Sequence, residues 1–74
     1  MKAVAITSEY IKLDQFLKLA DIVGSGGEAK IFIANNEIFV NGEKEERRGK
    51  KLRHGDSVQI KGQTFKIVKD GEKK

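Results

Sequence analysis

The sequence predicts an α+β fold in which two helices pack on one face of a small, mostly antiparallel β-sheet, leaving the other face to solvent. Three features lead there. Leu13, Phe16, Leu17 and Ala20 recur at helical spacing. Ser25, followed three residues later by Glu28, forms a capping box ahead of a second helical stretch. Beyond Asn36 the chain breaks into short alternating runs, separated by turn signals at Asn41-Gly42, Gly55-Asp56 and Gly62-Gln63.

Lys2 to Thr7 is apolar and partly β-branched and reads as a short strand, placed at a sheet edge where Lys2 discourages further pairing. The first helix runs from Lys12 and stops by Ile22-Val23-Gly24, with Asp14 near its positive end. Its apolar stripe is read as core, not as a ligand pocket. The second helix spans about Gly26 to Asn35. The Ser25 hydroxyl accepts from a first-turn amide, and Glu28 reaches back to the cap amide. Ala29, Phe32 and Ile33 form its inner side, and small Ala29 lets the helices approach. Asn35-Asn36 supplies a residue tolerant of the left-handed conformation that ends many helices.

Ile38 and Val40 then form the inward side of a strand. Phe39 lies on the opposite side, either to stack on a base or, as the favoured reading, to cover core from a second direction. Glu43 to Lys51 is nearly all charged and is expected to be solvated and mobile. Leu52 ends that segment and tucks into the core. Ser57 to Lys61 makes a strand with Val58 and Ile60 inward, and Phe65 and Ile67 line a final one. A single domain over residues 1–69 is expected, with residues 70–74 a frayed tail.

Composition excludes several functions. A chain of 74 residues buries only about 60% of its unfolded surface, so an internal catalytic cleft is not expected. Without cysteine there is no disulfide or thiolate metal site, and one histidine cannot form a ligand cluster. Serine occurs only at positions 8, 25 and 57, and His54 sits in a charged loop, so no nucleophile, base and orienting group assemble. We expect no enzyme, no cofactor and no small-molecule substrate. With no secretory leader or apolar run of membrane-spanning length, the expected location is the cytoplasm, without membrane contact.

Charge points instead to a polyanion. Residues 1–42 carry a net charge of −1 and residues 43–74 one of +5, so the excess of +4 lies wholly in the second half. Arg47 to His54, RRGKKLRH, holds five permanent positive charges and no acid, an electrostatic footprint suited to nucleic acid. A solvated loop kept soluble by charge is the alternative reading. Glu45-Glu46, beside Arg47-Arg48, reads as local charge balance and lowers the field.

The ordered set of Leu13-Asp14 opening the first helix, Ser25 opening the second with Ala29 and Ile33 inside it, Ile38-Phe39-Val40-Asn41-Gly42, Gly49, Lys51-Leu52 and Gly55-Asp56 resembles a known pattern. It is that of the RNA-binding domain family named after the fourth small-subunit ribosomal protein, the αL motif. The resemblance covers about residues 11–60, and SGGEAKIFI at Ser25 to Ile33 looks like the small stand-alone bacterial members of the YaaA and YbcJ type. It implies a non-catalytic protein binding structured RNA, ribosomal RNA above all, with a role in ribosome assembly or function. Carried over by position, the RNA-facing set is Lys12, Ser25, Gly26, Gly27, Lys30 and the Asn41-Gly42 turn. Charge alone adds Lys18, Arg47, Arg48, Lys50, Lys51 and Arg53. Many family members carry arginine directly after the helix-opening serine, whereas Gly26 stands here, so backbone amides would replace a guanidinium. A monomer is expected. A protein-interaction module using the open sheet face and nonspecific DNA binding are the alternative functions.

Overall fold

The computed structural model describes residues 1–70. Its elements are β1 (Lys2–Ile6), β2 (Ile11–Lys12), α1 (Leu13–Leu19), α2 (Gly26–Asn35), β3 (Ile38–Val40), β4 (Glu43–Lys44), β5 (Lys51–Leu52), β6 (Ser57–Ile60) and β7 (Gln63–Lys69). A five-stranded sheet has the order β1-β7-β6-β3-β4, and β2 and β5 form a separate two-stranded ribbon. All pairings are antiparallel except β1 with β7, which is parallel. Edge strand β1 therefore flanks β7, the last strand among the described residues.

One apolar cluster holds both helices to the inner face of the sheet. Leu13, Phe16 and Leu17 of α1 meet Ala29 and Ile33 of α2 over Ile38, Val40, Val58, Ile60, Phe65 and Ile67. Phe16 and Phe65 meet edge to face, with centroids 5.6 Å apart, a favoured aromatic geometry. Leu52 is completely buried in the same cluster. No polar or charged residue is buried among the described residues, so the core is held by apolar packing alone.

Local chemistry sets the ends of the elements. Ser25 Oγ accepts from the Glu28 amide at 3.2 Å. The Glu28 carboxylate accepts from the Gly24 amide at 2.6 Å, one residue before the cap amide expected. Helix α1 ends in a Schellman motif: the Ile22 amide donates to Leu17 O at 2.9 Å and the Asp21 amide to Lys18 O at 3.0 Å, with Asp21 left-handed at φ 64°. Helix α2 does not end that way. Asn36 is extended at φ −135°, and the Asn35 and Asn36 side chains instead donate to the carbonyls of Ile31 and Phe32 at 3.0 and 2.9 Å.

The turn chemistry is as expected at Asn41-Gly42, where both residues have positive φ, 52° and 86°, and Val40 pairs with Glu43, a type I′ hairpin. The last hairpin differs by one residue. Its central pair is Lys61-Gly62, at φ 50° and 79°, with Ile60 opposite Gln63. The positive-φ signal is the same glycine, but it occupies the second central position.

The charged segment after β3 is not the solvated, unanchored loop its composition suggests. Glu43–Lys44 pairs with β3, the Glu45 amide donates to Ile38 O at 2.8 Å, and the carbonyls of Arg48 and Lys50 accept from the Asp14 and Leu13 amides at 3.1 and 2.9 Å. Backbone pairing, invisible to side-chain pattern, ties it to the start of α1. The Asp70 amide, expected in the frayed tail, donates to Ile6 O; the rest of that tail, residues 71–74, lies outside the described residues. Phe39 is half-buried but is not part of the core cluster, so it covers no second core.

Candidate nucleic-acid interface

The β2–β5 ribbon brings four residues of one chemistry together. Ile11 opposes Leu52 and Lys12 opposes Lys51. Strand alternation turns the apolar pair to the core and the lysine pair outward. Lys51 Nζ lies 4.8 Å from the Tyr10 ring centroid, and the Arg53 guanidinium lies 5.7 Å from it, within cation–π range. Like charges directly opposed across strands are destabilising. Yet no carboxylate lies within ion-pair distance of Lys12, Lys51 or Arg53 among the described residues. Nearby Glu9 is held by Lys69 at 2.7 Å, and that hydrogen bond lowers its pKa, with Arg53 contributing least.

The segment between β4 and β5 extends this positive surface toward α2. Arg47, Lys50, Lys51 and Arg53 line one shallow depression, and Lys30 of α2 joins Lys44 and Arg48 around another of about 510 Å³, which Glu46 also lines. Arg47 is partly neutralised. Its Nε and Nη2 donate to Glu45 at 2.9 and 3.2 Å, and its own amide donates at 2.9 Å. The Arg47 side-chain hydrogen bond, opposed by burial and aided by the backbone bond and nearby charge, holds the Glu45 carboxyl down at about 2.

At the α2 N-terminus, the amides of Ser25, Gly26 and Gly27 meet no protein acceptor among the described residues. Neither glycine has a positive φ, so backbone conformation does not demand glycine there. A Cβ at Gly26 would meet nothing within 4 Å, and one at Gly27 only Ser25 Oγ at 4.0 Å. The amides are thus open to a ligand at the positive end of the helix dipole. Lys30, three to four residues on, lies on the same side of the helix.

Two of the expected residues fall differently. Asn41 spends its side chain within the protein: Oδ1 accepts from the Ser57 amide at 3.0 Å, and Nδ2 donates to Asp56 at 3.1 Å. The Asn41 side chain is accordingly a brace between two turns. Lys18 sits in the last turn of α1, where a cation complements the helix dipole, at the far end of that helix from Lys12. His54 is exposed, and its Nδ1 accepts from the Lys69 amide at 2.9 Å. Sequence reasoning missed Tyr10 and Lys44. An aromatic two residues before Lys12 was the available signal for Tyr10, but without the ribbon nothing set it beside Lys51 and Arg53.

Among the described residues no helix is long and apolar enough to cross a membrane. The chain is 50% identical over 66 residues to the probable ribosome maturation protein RlbA of Bacillus subtilis (strain 168), an alignment that covers 88% of this chain and 93% of that protein. The family model of the S4 domain matches residues 4–68. The chain therefore belongs to the S4-domain family, the family of RNA-binding domains that its motifs resemble.

Proposed function

We propose that this protein is a non-catalytic RNA-binding domain that recognises structured ribosomal RNA in the cytoplasm, as a monomer, during maturation of the ribosome. Family membership and the similarity to a probable ribosome maturation protein support this reading. The observation that carries it is Lys12 opposite Lys51 in register, with Arg53 beside them over the Tyr10 ring and no acid in ion-pair reach among the described residues. Like charges opposed across strands cost the fold stability, and a polyanion relieves the repulsion.

In this mechanism phosphates bind at two places. The α2 amides at Gly26 and Gly27 hold one without ordering a flexible side chain, and Lys30 adds charge beside it. Lys12, Lys50, Lys51 and Arg53 track the neighbouring backbone, while Tyr10 stiffens Lys51 and Arg53 by stacking beneath them. A-form RNA has a deep, narrow major groove closed to side chains, so recognition is by shape and backbone. Competition at equal salt between a folded ribosomal RNA fragment and duplex DNA of equal length tests this. The RNA should compete at lower concentration; equal competition would leave only nonspecific polyanion binding.

A further inference from the structure

The outer face of the five-stranded sheet carries no helix, and strand register determines what stands on it. Phe39 is opposite Lys44 on one side and Gln59 on the other, and Gln59 is opposite Thr64, so these four form a row across β4, β3, β6 and β7. Two residues along, Ser57, Lys66 and Ala3 form a second row, and Val68 with Ala5 closes the far corner. The residues of β1, β3, β6 and β7 alternate with core-facing positions and point away from the core, whereas Lys44, on the edge strand, lines the depression beside α2. Neither of the first two rows contains a carboxylate. At the margins, Glu46 lies 3.6 Å from Lys44. Glu37 shares a depression of about 380 Å³ with Phe39, Gln59 and Lys61.

Core packing does not account for Phe39, which is half-buried and outside the core cluster. What surrounds it is polar, with Gln59 opposite and Lys61 and Glu37 in the same depression, a setting short of the apolar area that a protein partner would cover but open to the face of a base. We propose that this face is a second RNA-contact surface, taking an unpaired nucleotide whose base stacks on Phe39 and whose flanking phosphate meets Lys66. Gln59 lies opposite Phe39, with Thr64 one strand further on, and an amide and a hydroxyl can hydrogen-bond base edges. The proposal rests on the RNA-binding reading above and extends it from helical RNA to a single-stranded flank.

The test compares a blunt RNA hairpin with the same hairpin bearing an unpaired tail that contains 2-aminopurine. The wild-type protein should bind the tailed RNA about five- to tenfold tighter than the blunt one and quench the 2-aminopurine, as base–aromatic stacking requires. Phe39→Leu should lose both the gain and the quenching while binding the blunt hairpin as before. Lys66→Gln, which leaves the ring untouched, should reduce the gain and keep the quenching. A tail that adds no affinity, or a gain that survives Phe39→Leu, overturns the proposal and leaves the face to a protein partner. Failure to bind even the blunt hairpin would overturn the RNA-binding reading itself, and the platform with it.

Discussion

Replacing Gly27 with aspartate should move stability and RNA binding in opposite directions. Gly27 is the second residue of α2, with ordinary helical φ and open space where a Cβ would stand. Removing a glycine from a helix recovers a few tenths of a kcal/mol when the replacement is aspartate, and a carboxylate in the first turn adds about 0.3–1 kcal/mol through the helix dipole. The sum is about 0.5–1.3 kcal/mol of stabilisation, a rise in Tm of about 2–10 °C for a domain of this size. Binding should suffer. The new carboxylate occupies the site of a phosphate and repels it by about 1 kcal/mol even in water, and the charge-assisted amide bonds are lost, together about 2 kcal/mol, or roughly thirtyfold in affinity. Gly27→Ala is the control, sharing the stability gain with affinity within about threefold, because the amide remains. Thermal melts and a titration with structured RNA read both quantities. Unchanged affinity in the aspartate variant would refute the amide site and reduce the Ser25–Glu28 motif to plain capping.

Further outcomes concern the segments that shape the interface. Glu45 has its carboxyl held at about 2 by the Arg47 hydrogen bond, against an ordinary 4.5. A depressed carboxylate contributes stability that is fully present above its unfolded value and is lost as pH falls through the folded one. The window is therefore pH 4.5 down to about 2. Because Arg47 is 76% exposed, solvent screening limits the effect to about 1 kcal/mol. Glu45→Gln should be less stable than wild type by that amount at pH 7 in urea titrations, with the gap closing by pH 2; a gap of equal size at both pH values would contradict it. The same variant should bind RNA more tightly at neutral pH, since the Arg47 charge is no longer countered by the Glu45 carboxylate. Asp21 holds a left-handed conformation at φ 64° without glycine, so Asp21→Gly should raise stability by about 0.5–1 kcal/mol, and a loss in the same titration would count against the Schellman assignment.

Sequence pattern made the locally encoded parts legible. The start of α2 follows from Ser25 and Glu28, the hairpin from Asn41-Gly42, and the inward positions from periods of 3.6 and 2, because each depends on residues a few positions apart. What escaped it depends on backbone pairing between distant segments. The parallel β1–β7 pairing joins positions more than sixty residues apart, and nothing in either strand names its partner. Composition made residues 43–51 look unanchored, yet amides of Leu13 and Asp14 fix them. The candidate site divides in the same way. Its charges were readable from RRGKKLRH, whereas Tyr10 beneath Lys51 and Arg53 and the Glu45–Arg47 pair required the ribbon and the tether to be seen. Asn41 shows the converse, a strong turn signal whose side chain is engaged in bracing.

The salt dependence of RNA affinity in the wild type and in Lys51→Gln tests the central claim most directly. If the α2 amides and the basic row together neutralise about four phosphates, log affinity should fall against log salt with a slope of roughly −3 to −4, and removing Lys51 should make that slope shallower by about 1. A flat salt dependence, or a slope that Lys51→Gln leaves unchanged, would contradict the claim that this row binds RNA through its phosphates.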